Sequence, residues 1–215
     1  MCLGNISKYN MDKVKTIPES ILKDKKILFL GSSVTKGYAS FGQGIPEYVR
    51  KRFSSIVTKD AVNGTTLVNI GDNNYIERLI KHTKEEAYDL VVVQLSTNDA
   101  RLKYPLGSID DSDQTTITGS INFIAYYVKK TWECPIIFYT NSYYENKEYE
   151  LMVERINEIK DIFVIDLYNN KEFNNISKLK RSLYMADTIH PTKAGYKNWW
   201  CPQIEKELLN ILNGG

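Results

Sequence analysis

Four short segments carry residue types that do chemistry, and each lies in a turn outside the apolar runs of the chain. Gly31-Ser32-Ser33-Val34-Thr35 follows the first run, and a serine on a strand-to-helix turn can present its hydroxyl beside backbone amides. The pattern Gly-x-Ser-x-Gly is not met, because Thr35 stands at the last glycine position. The competing reading is a turn of small residues that caps the next helix. Asn63-Gly64-Thr65-Thr66 follows the second run, where Gly64 permits positive φ and lets a backbone N–H face a ligand. Ser96-Thr97-Asn98-Asp99 ends the third, and the Asn98 side chain offers an amide donor suited to a developing oxyanion. An Asn-Asp pair also forms Asx-turns, so this segment alone decides nothing.

Asp187-Thr188-Ile189-His190-Pro191 is the fourth segment. Three residues apart on a tight turn, the carboxylate can take the Nδ1–H of His190 and leave Nε2 free to accept a serine proton. His82, the other of only two histidines, sits among Glu77, Arg78 and Lys81 and reads as a solvated helix residue. With two histidines, no His-Glu-x-x-His and no paired cysteine spacing, a multi-histidine zinc site cannot be assembled.

The elements that must hold these segments alternate in type. Residues 26–30 (Lys-Ile-Leu-Phe-Leu), 56–62, 90–95, 135–139 and 162–167 are short apolar runs and predict strands. Apolar residues at helical spacing predict helices over 45–53, around 75–80, over 117–128, over 151–159 and over 193–212, the last capped by Thr192. Strand and helix alternating about five times is the pattern of an α/β domain with a mostly parallel sheet covered on both faces. Residues 1–25 are aperiodic and read as an N-terminal extension to a single domain over 26–215. Residues 101–114, with Asp110, Asp111 and Asp113, form a long surface excursion near the strand ends. Trp199 and Trp200 on the final helix are best used in covering the sheet.

Composition removes several function classes. At 215 residues, 42% hydrophobic and 25% charged, the chain is an ordinary globular protein able to build one core. A net charge of +2 gives no field for nucleic acid. Cys2, Cys134 and Cys201 are scattered and odd in number, which argues against a disulfide framework and for a reducing compartment. No apolar run approaches a membrane span and no signal-peptide pattern is visible, so a soluble cytoplasmic protein is expected.

Taken together, the four segments resemble the blocks of the SGNH hydrolases, the GDSL-type esterases and lipases. The serine, glycine, asparagine and histidine of those blocks match Ser33, Gly64, Asn98 and His190, and the Asp-x-x-His of the family matches Asp187 with His190. The resemblance runs from about residue 26 to the final helix. Ser32 stands where the family has aspartate, and Ser96 stands where it has glycine. Ser96 is expected to narrow the cleft at the strand exit.

The resemblance implies a three-layer α/β/α, flavodoxin-like fold with a five-stranded, mainly parallel sheet. It implies two-step acyl transfer with Ser33, Asp187 and His190 catalytic, and an oxyanion hole made by the Ser33 N–H, the Gly64 N–H and the Asn98 amide. No metal or organic cofactor is implied. The expected substrates are carboxylic esters with short acyl groups such as acetyl, on a small molecule or a carbohydrate; lysophospholipase action is the alternative. A catalytically inactive, flavodoxin-like module cradling phosphate at 31–35 is the reading from another class. Against it, Lys36 precedes Gly37 rather than following it, and Asp187 with His190 is left unexplained.

Overall fold

The computed structural model describes residues 3–214. Five strands, β1 (Lys26–Gly31), β2 (Ile56–Ala61), β3 (Leu90–Gln94), β4 (Ile136–Tyr139) and β5 (Phe163–Ile165), form one sheet in the order β2-β1-β3-β4-β5. All four pairings are parallel, so the sheet is wholly rather than mainly parallel. Strand order reverses between β1 and β3, and in such sheets ligands bind outside the carboxyl ends at that crevice. The segments ending in Ser33 and Asn98 leave β1 and β3, so the chain delivers both to it.

Continuous apolar strands arise because both faces are buried. Ile27 and Phe29 of β1, Val92 of β3 and Ile137 and Tyr139 of β4 face one core. That core is closed by α2 (Ile45–Phe53) and the final helix. Leu28 and Leu30, Val91 and Val93, and Ile136 and Phe138 face the other. This second core is closed by α3 (Tyr75–Leu79), α5 (Ile117–Trp132) and α6 (Lys147–Glu158). A strand with period 2 needs apolar residues at every position only in this arrangement. Truncating a fully buried ring such as Phe29 to Ala would cost about 3–5 kcal/mol. The edge strand β2 is only partly buried and carries Lys59 and Asp60, charges that discourage edge-to-edge pairing.

Short helices occupy the strand exits: α1 (Ser33–Lys36) after β1 and α4 (Thr97–Leu102) after β3. Two more, α7 (Lys171–Asn174) and α8 (Lys178–Tyr184), precede the histidine turn. The final helix begins as α9 (Lys193–Gly195), passes through a π-helical segment (Tyr196–Trp200) and continues as α10 (Cys201–Leu212). Pro202 has no N–H to give, and the wide turn just before it is where the ladder absorbs that break. Thr192 caps this helix, its Oγ1 accepting from Gly195 N at 3.2 Å. Trp199 and Trp200 are buried in the core against the sheet. Cys134 and Cys201 are free thiols, while Cys2 lies outside the described residues.

The segment before β1 is packed rather than trailing. Met11, Val14 and Leu22 are buried in the same core as Ile27 and Phe29.

Candidate active site

Ser33 is the first residue of α1, one residue beyond the end of β1, and is nearly buried. Gly31 lets the turn form at all, because a Cβ there would overlap the Thr35 side chain. Gln94, the one polar residue of β3, holds the turn from the neighbouring strand. Its Oε1 accepts from Ser32 N at 3.0 Å, Thr35 N at 3.1 Å and Thr35 Oγ1 at 2.8 Å. Its Nε2 donates to Ser32 Oγ at 3.1 Å. Thr35 spends its one hydroxyl proton on Gln94, so Tyr139, 2.6 Å away, donates to Thr35.

The hydroxyl of Ser33 lies 2.8 Å from His190 Nε2, and His190 Nδ1 lies 2.8 Å from Asp187 Oδ2. An ionised carboxylate only accepts, so Nδ1 carries the proton and Nε2 is left to accept from Ser33. The other oxygen of Asp187 accepts from the backbone N–H of Ile189 and of His190, each at 2.7 Å. Burial pushes the Asp187 carboxyl upward, but the His190 ring and these two amides outweigh it and hold the pKa below the usual value. The turn itself is closed by Ala186 N donating to His190 O at 2.9 Å and by a bridge between Met185 and Pro191. The ring of Tyr38 lies against the imidazole, centroids 5.3 Å apart.

Gly64 adopts φ +77°, and an added Cβ would meet nothing, so backbone conformation rather than space calls for glycine there. Asn98 Nδ2 donates to the carbonyl of Thr65 at 2.9 Å, which orients the amide and leaves its second N–H for a ligand. Among the described residues the N–H groups of Ser33 and Gly64 have no acceptor. Asp99 fixes the same loop from beneath, accepting from Leu67 N at 2.8 Å and Val68 N at 3.0 Å. Its burial is nearly complete and pushes its pKa up to about 6, against the downward pull of Ser96 and the two amides.

The model of the GDSL-like Lipase/Acylhydrolase family matches residues 29–197, most of the chain and all of this constellation. The chain belongs to that family. It is therefore a carboxylic ester hydrolase of the GDSL type. No curated protein matches its sequence. Among solved structures it is similar to a protein from Lactobacillus plantarum, at 19% identity and TM-score 0.71, covering 89% of this chain and 97% of that one. It is also similar to an acetylxylan esterase from Geobacillus stearothermophilus, at 14% identity and TM-score 0.62 over 88% and 96% of the two chains. A third is a family two carbohydrate esterase from Clostridium thermocellum, at 13% identity and TM-score 0.57 over 90% and 66%. At these identities the likeness is one of fold.

The two departures of this GDSL hydrolase from its family pattern are both accommodated below the surface. Ser32 is fully buried, its hydroxyl taken up by Gln94. Ser96 does not narrow the cleft as expected: it is fully buried and caps α4, accepting from Asn98 N at 3.2 Å. His82 is likewise not a solvated helix residue. It follows α3 and is mostly buried, with Nε2 3.1 Å from Asp60 and Nδ1 3.0 Å from Glu86. Each ring nitrogen faces a carboxylate, and the hydrogen bond to Asp60, aided by Glu86, raises its pKa against the effect of burial.

Three supporting residues escaped the sequence reading: Gln94, Asp99 in its loop-holding role, and Arg78. Arg78 is buried, is paired with Asp60, and donates to Gly31 O at 2.8 Å and Asn73 O at 2.9 Å. It thus ties the base of the serine turn to the far end of the Gly64 loop. The one available signal was Gln94, a polar side chain closing an otherwise apolar strand.

Proposed function

We propose that this hydrolase cleaves short-chain esters, acetyl groups above all, through a Ser33-His190-Asp187 triad. The observation that carries the reading is the continuous chain of two 2.8 Å contacts from Ser33 Oγ through the imidazole to Asp187. Ser33 Oγ attacks the ester carbonyl as its proton passes to His190 Nε2, and Asp187 stabilises the imidazolium. The negative oxygen of the tetrahedral adduct is received by the Ser33 N–H, the Gly64 N–H and the free N–H of Asn98, a single such donor being worth ~3–4 kcal/mol. His190 returns the proton to the departing alcohol, which leaves an acyl group on Ser33. Water, deprotonated by the same imidazole, then releases the acid and restores the serine.

A carbohydrate acetate fits what surrounds the site. Tyr38, whose ring lies against His190, is largely exposed to solvent and offers the kind of aromatic surface on which a sugar ring stacks. Two of the similar folds are carbohydrate-active esterases by name. Among the described residues no helix is long and apolar enough to cross a membrane. The unpaired thiols Cys134 and Cys201 support action in a reducing compartment such as the cytoplasm.

The test is hydrolysis of p-nitrophenyl esters from C2 to C12 by the wild type and by Ser33→Ala. Activity confined to the shortest chains and absent from the variant is expected. A peak at long chains would replace the acetyl reading with a lipid one, and undiminished activity in Ser33→Ala would end the triad assignment.

A further inference from the structure

The family pattern begins at residue 29, yet the segment before it reaches both sides of the candidate active site. Three single turns, Leu3–Asn5, Ser7–Tyr9 and Met11–Lys13, run along the surface between the loop that follows α1 and the start of the final helix. Asn5 touches both. Its Nδ2 donates to Ala39 O at 2.8 Å, next to Tyr38, whose ring lies on His190. Its Oδ1 accepts from Lys193 N at 2.9 Å, three residues after His190. That N–H is at the first position of a helix and has no partner within it, so the bond satisfies a donor the helix leaves open.

The neighbouring contacts repeat the pattern. Asn10 Oδ1 accepts from the buried Lys193 Nζ at 2.8 Å, and Lys8 O accepts from Lys197 Nζ at 3.2 Å, on the histidine side. Met11 N donates to Gln43 Oε1 at 2.7 Å on the serine side. Gly4 lies so close to Leu183 and Thr192 that a Cβ would overlap both. Only a backbone without a side chain can lie that flat against the approach to the histidine turn.

We infer that Asn5 is a positioning residue: its amide fixes the distance between the serine side and the histidine side of the site. The inference rests on the reading of Ser33 and His190 as nucleophile and base. Those two residues are 157 positions apart and meet through a single hydrogen bond. Proton transfer needs that contact within about 2.6–3.2 Å, and a displacement of about 1 Å can cost 10²-fold in rate. The Asp187 side of the histidine turn is half exposed; beyond the Ala186–His190 bond and the Met185–Pro191 bridge that close the turn, it is anchored through Thr192, Lys193 and the segment lying on them.

The experiment compares the full chain with Asn5→Ala and with Asn5→Asp, which keeps the acceptor for Lys193 and loses the donor for Ala39. Hydrolysis of p-nitrophenyl acetate gives kcat and KM. A fluorophosphonate reports on Ser33 directly: Oγ bonds to phosphorus, fluoride leaves, and the hydroxyl proton goes to His190. Counting labelled Ser33 normalises kcat to competent sites, and thermal melts below which all rates are taken confirm folding. The expected result in both variants is a fall in kcat per labelled site of about 10-fold. KM should stay within about 2-fold, with the labelling rate constant falling in parallel. Lower melting temperatures with unchanged kcat and labelling rate would overturn the inference, since a merely structural segment behaves that way. Wild type that neither hydrolyses esters nor takes the label would overturn the triad reading itself, and the role of Asn5 with it.

Discussion

Asp99 sets two opposed effects against each other, and replacing it by Asn measures which prevails. Two backbone amides, from Leu67 and Val68, favour an ionised carboxylate, while nearly complete burial opposes one. Burial prevails, taking the pKa from 3.8 to about 6. A folded-state pKa above the unfolded one means that the native protein binds the proton more tightly. The stabilisation is therefore fully present below the unfolded value and lost as pH rises through about 6. The gap of about 2 pH units corresponds to about 3 kcal/mol in all, of which about 2 kcal/mol falls between about pH 4.5 and pH 7.5. Urea unfolding of the wild type and Asp99→Asn across that range isolates this group, because the other titrating groups cancel in the difference. The wild type should lose about 2 kcal/mol relative to the variant as pH rises. A difference flat in pH, or one running the opposite way, would refute the reasoning: the amides would then be holding Asp99 ionised.

Other substitutions probe the site more directly. Asn98→Ala should lower kcat by about 10²-fold or more with the fold intact, read from steady-state kinetics and circular dichroism. Gln94→Leu leaves the amides of Ser32 and Thr35 without their acceptor, at about 1–3 kcal/mol each, and a urea midpoint equal to wild type would contradict that. Asp187→Asn should cut kcat by about 10³-fold or more by freeing the histidine tautomer. Because the Asp187 pKa is lowered on folding, its contribution to stability is present above the usual carboxylate range and lost as pH falls through the folded value. The stability gap between wild type and Asp187→Asn should accordingly close towards acid pH.

The architecture was legible because its signals are local and repeated. Five apolar runs separated by helical periodicity leave little freedom beyond a parallel sheet, and the observed strands overlap all five. What failed was also local. His82 stands amid charged neighbours and reads as solvated, yet Asp60, on the far side of the 63–74 loop, and Glu86 close over it. Ser96 reads as a side chain at a strand exit, whereas the chain turns there into α4 and spends the hydroxyl as a cap. Residues 3–25 lack periodicity because they form single turns joined by irregular stretches, and the apolar anchors Met11, Val14 and Leu22 bury without any repeating pattern.

The candidate site divides along the same line. Asp187 and His190 announce themselves because their contact spans three residues, and Gly64 because a turn advertises its glycine. The residues that hold them do so across the fold: Asp99 reaches back 32 positions to Leu67, Gln94 reaches 62 to Ser32, and Asn5 reaches 188 to Lys193. A polar side chain making one long-range bond leaves no spacing to read, so its role becomes visible only once the strands are in register. The proposed triad and oxyanion donors are confined to short, recognisable loops, while the side chains that hold those loops are scattered partners. One of those partners, Asn5, lies outside the segment that the family pattern describes.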